Sequence, residues 1–141
     1  MTKLLITISF LFLVGSPIAN AEQVYYCKSE LNAGIIKDKM TGKWRKGNFG
    51  EERYTLKFNN DYSILEGISG KTKFKCEIPW KNLMEYKNYR FCKTPSNNGL
   101  VIAFNLNTMR FLYTQGGVTG YVEGGEDPDT NIMLAGTCEK F

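Results

Sequence analysis

"RYTLKFNND", residues 53–61, is the stretch that decides the fold. Its first six residues alternate, with Tyr54, Leu56 and Phe58 on one side of an extended chain and polar residues between them. Strict alternation of apolar and polar residues predicts a β-strand with one buried face. The Asn-Asn-Asp that follows is rich in turn formers, so the strand is expected to end in a tight turn.

The same alternation recurs along the chain. It appears in "TKFKCEIPW" at residues 72–80 and in "LVIAFNL" at residues 100–106. Further strand candidates occupy residues 24–29, 33–37, 63–68, 89–93, 110–115, 118–122 and 132–138. Glycine- and asparagine-rich turns separate these runs about every ten residues, which is typical of an all-β barrel or sandwich.

We therefore expect a small antiparallel meander that is either a barrel or a sandwich. A barrel would remove the exposed strand edges that recruit other chains. Helix is expected in at most one short turn within "PWKNLMEYKN", residues 79–88, because Pro79 suits a first helical position. The chain shows no linker, repeat or low-complexity segment, so its strands are expected to form a single domain.

The four cysteines predict two disulfides. Their number is even, and they are not arranged as the close pairs of a redox motif or a zinc site. Four cysteines allow three connectivities. Cys27–Cys138 is favoured because it joins the two ends of the chain, and Cys76–Cys92 because both lie in neighbouring strand candidates. On the loop-entropy model these bridges contribute roughly 4–5 and roughly 3 kcal/mol respectively.

The first 21 residues have the form of a signal peptide. Lys3 is followed by the apolar run 4–14, and Ala19-Asn20-Ala21 has the small–x–small pattern of a cleavage site. The run is too short to cross a bilayer, which takes about 20 apolar residues. We expect cleavage after Ala21, a single secreted β domain at residues 22–141 with no membrane span, and a periplasmic or secreted location.

Two short motifs resemble known families. "TGKW" at residues 41–44 resembles the Gly-x-Trp near the first strand of calycin barrels, the group of lipocalins and avidins. That resemblance implies a calycin-like barrel of eight strands with an apolar cavity mouth, in which Trp44 closes the barrel floor. Tyr25-Tyr26-Cys27 and Thr137-Cys138 are similar in outline to periplasmic inhibitors of C-type lysozyme. That resemblance implies an enzyme-inhibitor-like barrel, although the inhibitory Ser-Gly-x-x-Tyr-Ser loop is absent from the sequence.

Catalytic and metal motifs are weak. The sequence contains no histidine, the usual base of an activated serine or cysteine. Its acidic residues at 123–129 crowd into one glycine-flanked loop instead of standing on separate elements as a glycosidase pair does. Asp127, Asp129 and Asn131 have the spacing that opens a calcium loop, but its later ligands are missing. We expect no enzyme activity, no cofactor and no metal. The alternative is a calcium site formed by these three residues.

The most suggestive surface lies in the segment 80–90. Residues 71–93 contain seven basic and two acidic residues, in a chain of net charge +4. The predicted binding surface consists of Trp80, Lys81, Tyr86, Lys87, Tyr89 and Arg90. A basic, aromatic surface suits an anionic envelope component, with another protein as the alternative partner.

The sequence thus predicts an exported, non-catalytic binding module that acts as a monomer. Nucleic acid is not an expected partner, because an exported chain does not meet it. The alternatives are a small-ligand carrier, which requires an apolar cavity of several hundred Å³ inside the barrel, and an inhibitor-like barrel.

Overall fold

The computed structural model describes residues 22–68, 70–95, 99–116 and 131–141. The predicted signal peptide, the strand candidate 118–122 and the predicted calcium ligands Asp127 and Asp129 lie outside these residues. The described strands are β1 (Gln23–Lys37), β2 (Trp44–Lys46), β3 (Arg53–Phe58), β4 (Ile64–Glu66), β5 (Phe74–Glu77), β6 (Tyr89–Lys93), β7 (Leu100–Asn105), β8 (Arg110–Gln115) and β9 (Asn131–Lys140).

Eight of these strands form a closed antiparallel barrel. From β3 to β9 each strand pairs with the next along the chain, and β1 pairs with both β3 and β9 to close the ring. Strand β2 lies outside this ring, paired with the far end of β1 at residues 35–37. The expected all-β meander is confirmed, and the choice between barrel and sandwich is resolved as a barrel.

The two ends of the barrel are built differently. At the end that we call the rim, β3 begins at Arg53, β8 ends at Gln115 and β9 begins at Asn131. At the opposite end, the floor, β3 ends at Phe58 and β6 begins at Tyr89. Strand β1 starts at the floor and runs past the rim, where it carries β2.

Both predicted disulfides are present. Cys27 stands opposite Cys138 in the β1–β9 pairing, and Cys76 stands opposite Cys92 in the β5–β6 pairing. Each pair is bonded, and the described residues contain no free cysteine. The first bridge joins the strands that close the barrel, as the sequence argument expected.

Aromatic rings fill the centre of the barrel. Phe104 packs edge-on against Tyr25, with ring centroids 5.0 Å apart, and stacks on Phe58 at 5.6 Å. Leu56 and Phe58, from the stretch that predicted the fold, are fully buried. The other buried apolar residues are Cys27, Leu65, Phe74, Cys92, Leu100, Ile102, Phe111, Tyr113, Leu134 and Cys138.

A β-bulge in β1 changes the side on which its residues point. The register with β9 shifts between Ser29 and Leu31, so Ser29 is 2% exposed whereas Leu31 is 73% exposed. Gly136 pairs with Ser29, and a Cβ at position 136 would overlap the backbone oxygen of Lys28. Only glycine allows the two strands to approach this closely.

Trp44 does not close the barrel floor, so the position implied by the calycin resemblance was wrong. It begins β2 and stands opposite Lys37, at the end of β1 that lies beyond the rim. The physical reason is the preceding turn, in which the Asp38 carboxylate accepts hydrogen bonds from the backbone N–H groups of Met40 and Thr41, both at 3.0 Å. This turn folds the chain back along β1, outside the ring.

Candidate binding site: an aromatic surface at the barrel floor

Three aromatic residues of the predicted surface form one continuous cluster. The ring centroid of Tyr86 lies 4.9 Å from that of Trp80 and 5.5 Å from that of Tyr89. Trp80 is 66% exposed and Tyr89 is 37% exposed. We call these three residues the aromatic surface; it covers one side of the barrel at the floor end.

The loop between β5 and β6 shapes this surface. The backbone N–H of Leu83 donates to the oxygen of Trp80 at 2.9 Å, and the N–H of Tyr86 donates to the oxygen of Leu83 at 3.0 Å. A single turn of 3-10 helix, Met84–Tyr86, follows, within the segment where one helical turn was predicted. These short-range bonds bring Tyr86 back against Trp80.

Trp80 has an unusual backbone. Its φ is +51°, in the left-handed region that bulky residues rarely adopt. Such a conformation costs of order 1–3 kcal/mol and persists where surrounding structure enforces it, often at functional sites. In this backbone conformation the Trp80 side chain, the largest of the loop, is exposed to solvent.

The cations of the predicted surface divide into two groups. Lys81 and Lys87 are exposed, and they follow Trp80 and Tyr86 directly in the chain. Arg90 lies instead on the inner side of β6, opposite Phe104. Its Nη1 donates to the backbone oxygens of Lys87 at 2.8 Å and Tyr89 at 2.9 Å, so it holds the loop in place.

Arg90 also contacts an aromatic residue at the barrel floor. Its guanidinium carbon lies 5.2 Å from the ring centroid of Tyr62, a cation–π contact. The Tyr62 hydroxyl is hydrogen-bonded to that of Tyr25 at 3.0 Å. Burial, followed by this hydrogen bond, raises the pKa of Tyr25 well above its ordinary value, and the charge of Arg90 opposes the rise. Arg90, Tyr62 and Tyr25 therefore form one connected polar cluster at the floor.

The outer wall of the barrel carries a row of apolar residues that the sequence reasoning missed. Phe91, Ala103, Leu112, Ala135 and Leu31 stand opposite one another across five neighbouring strands. Phe91 is 37% exposed and Leu112 is 39% exposed. A signal was available, because β8 contains three consecutive large apolar residues, so both of its faces carry apolar side chains. Alternation of apolar and polar residues predicts only which side chains face the core.

A groove on this wall continues the aromatic surface. It has a volume of about 340 Å³. The residues that line it include Tyr89, Ala103, Arg110 and Leu112. Tyr89 belongs to both features, so the groove begins where the aromatic surface ends. Arg110, which is exposed, also lines the groove.

The described residues show no candidate metal centre. Among them, no group of three histidine, cysteine or carboxylate side chains could hold a metal ion. Asn131, the one predicted calcium ligand within the described part, is the first residue of β9. Within the same residues, no helix has the length and hydropathy needed to cross a bilayer.

Fold and site together define a disulfide-bonded, eight-stranded antiparallel β-barrel with an aromatic and basic surface at one end. Comparison of the chain with protein-family models, with curated proteins and with solved structures gives no significant match.

Proposed function

We propose that this chain is an exported, non-catalytic binding module that holds an anionic glycan of the cell envelope on its aromatic surface. The two disulfides fit an oxidising compartment, which supports a periplasmic or secreted location. The observation that carries the proposal is the contiguous Trp80–Tyr86–Tyr89 cluster beside exposed cations.

The chemistry of the surface matches that of a charged saccharide. The C–H faces of sugar rings pack on exposed aromatic rings, which offer a large apolar contact area of fixed shape. Lys81, Lys87 and Arg110 can pair with carboxylate, sulfate or phosphate groups on the same chain. The groove beyond Tyr89 gives room for further sugar units.

The interior of the barrel supports surface binding over transport of a large apolar ligand. A carrier needs an apolar cavity within the barrel. Here Tyr25, Phe58 and Phe104 occupy the centre and are at most 1% exposed. Ligand contact is therefore assigned to the outer surface, and catalysis is not proposed because histidine is absent from the sequence.

Calorimetric titration of residues 22–141, with both disulfides formed, tests the proposal. Dextran sulfate and dextran of the same length share one backbone and differ in charge. We expect dextran sulfate to bind and dextran to bind weakly, and we expect Trp80→Ala to weaken binding about ten-fold. The matched control is Tyr26→Ala, since Tyr26 is 51% exposed on another part of the barrel. Equal binding by wild type and Trp80→Ala would contradict the proposal.

A second candidate is docking of another protein on the outer wall. The observation that favours it is the row from Phe91 to Leu31, because exposed apolar side chains that adjoin one another mark interaction surfaces. Leu31→Gln, which changes a member of the row that does not line the groove, would then weaken capture of the partner and leave dextran sulfate binding unchanged. This separates the two candidates.

A further inference from the structure

A small pocket opens at the rim, the end of the barrel opposite to the aromatic surface. It has a volume of about 250 Å³. Three aromatic side chains (Phe49, Tyr54 and Tyr113), three aliphatic ones, Glu52 and Gln115 line it. The pocket is smaller than the range of about 300–1,000 Å³ that is usual for drug-sized ligands. A ligand that fills it must therefore be small.

The aromatic walls are fixed by the fold. The ring centroids of Tyr54 and Tyr113 lie 6.1 Å apart, although their strands, β3 and β8, are separated in the ring by β1 and β9. Phe49 reaches the rim from the segment between β2 and β3. A Cβ on Gly34 or Gly47 would lie within 2.7 Å of the Phe49 ring, so these two glycines make the space in which the ring is seated.

The pocket has a negative edge. Glu52 is exposed at its margin, and the nearby cations Lys28 and Arg53 pair with Glu51 at 3.0 and 3.2 Å. Among the described residues that line the pocket, none is basic, although the chain has a net charge of +4. Burial, and after it the charge of Glu52, raises the pKa of Tyr54 to about 12. The negative charge of Glu52 thus interacts with the Tyr54 hydroxyl, and both residues line the pocket.

We propose that the rim pocket binds a small organic cation whose charge is carried by an alkylated ammonium group. Aromatic rings attract such a cation through their negative faces, and little hydration is lost because an alkylated ammonium holds water weakly. Glu52 supplies the compensating charge. An anion would be repelled by the Glu52 carboxylate and by the negative faces of the rings, and no described residue of the lining is basic. The site goes beyond the proposed function, because it lies at the other end of the barrel and selects the opposite charge.

Titration with choline, followed by ¹H–¹⁵N NMR of residues 22–141, tests this assignment. The neutral compound 3,3-dimethylbutan-1-ol has the shape of choline without its charge. We expect saturable shifts in the amides of Tyr54, Tyr113 and Gln115, and we expect choline to bind about three- to ten-fold more tightly than the neutral compound. Shifts centred on Trp80, equal affinity for the two compounds, or the lack of saturable shifts would each overturn the proposal.

Two exposed carboxylates at opposite ends of the barrel provide the matched variants. Glu52→Gln should weaken choline binding about three- to ten-fold, whereas Glu139→Gln, which alters a carboxylate at the floor end, should change it less than about two-fold. Tyr113→Leu removes a ring and should also weaken choline more than the neutral compound. Thermal unfolding of each variant verifies that it is folded. Unchanged choline binding by folded Glu52→Gln would overturn the role of the carboxylate and with it the proposal.

Discussion

Ser29 holds the backbone of Glu52 from two directions. The Ser29 N–H donates to the Glu52 carbonyl oxygen at 2.9 Å, and the Glu52 N–H donates to the Ser29 Oγ at 2.8 Å. Ser29 is 2% exposed and lies at the bulge of β1. These two bonds tie the bulge to the segment that enters β3, and they fix the position of Glu52 at the rim.

Removing the serine hydroxyl should destabilise the protein. Ser29→Ala leaves the Glu52 N–H without its partner near the barrel interior, which costs about 1–3 kcal/mol. Equilibrium urea unfolding measures the change, with Thr108→Ala as a control because it removes a hydroxyl from an exposed residue. A free energy of unfolding within about 0.5 kcal/mol of wild type, the range of ordinary surface substitutions, would contradict the structural role assigned to Ser29.

The two disulfides should contribute unequally to stability. The Cys27–Cys138 bridge spans a sequence separation of 111, whereas Cys76–Cys92 spans 16. On the loop-entropy model the long bridge contributes roughly 1–2 kcal/mol more than the short one. It also joins the strands that close the barrel. The double variant Cys27→Ala/Cys138→Ala should therefore unfold at a lower urea concentration than Cys76→Ala/Cys92→Ala. The reverse order would contradict this account of the closure.

The sequence predicted the features that depend on local pattern. Alternation in 53–58 identified a strand whose Leu56 and Phe58 are fully buried. The pairing of Cys76 with Cys92 followed from the adjacency of two strand candidates in a meander. The pairing of Cys27 with Cys138 followed from their positions near the ends of the chain, and a closed barrel brings those ends together.

Features that depend on register or on distant segments could not be predicted from the sequence. The predicted binding surface includes Arg90, and the sequence does not show that Arg90 stands opposite Phe104 on the inner side of β6. The bulge at Ser29 reverses the facing of Leu31, and no periodicity reports this shift. The rim pocket was not predicted. Phe49 lies between β2 and β3, and it reaches the pocket only because β2 pairs with β1 outside the ring.

Stability should fall in alkaline solution through the tyrosines of the rim pocket. Burial, and then the charge of Glu52, raises the pKa of Tyr54 from 10.0 to about 12. The unfolded chain thus releases this proton at a lower pH than the folded chain does. The resulting loss of stability is absent below pH 10 and grows as the pH rises from about 10 to about 12.

The Tyr54→Phe variant isolates this contribution. Phenylalanine keeps the ring and has no proton to release, so the free energy of unfolding should decline less steeply than in wild type between pH about 10 and about 12. Urea unfolding at successive pH values measures both slopes. Burial also raises the pKa of Tyr113, so some decline should persist in the variant. Parallel curves for wild type and Tyr54→Phe would show that Tyr54 does not contribute.

Gly136 should be required for closure of the barrel. An added Cβ would overlap the backbone oxygen of Lys28 across the β1–β9 pairing, where no flexible side chain can move aside. Gly136→Ala must therefore push the two strands apart at the bulge, and we expect a loss of about 3 kcal/mol or more. Gly50→Ala is the matched control, because no atom lies within 4 Å of a Cβ built there.

Hydrogen exchange shows which backbone amides lose protection in Gly136→Ala. The amide of Ser29 is bonded to Glu52 at the bulge, so its protection should fall in the variant more than that of amides in β6 and β7, which lie elsewhere in the ring. Gly50→Ala should leave both sets unchanged. If Gly136→Ala unfolds at the same urea concentration as Gly50→Ala, the close approach of β1 and β9 is not what fixes the bulge. In that case the register shift at Ser29 must have another cause.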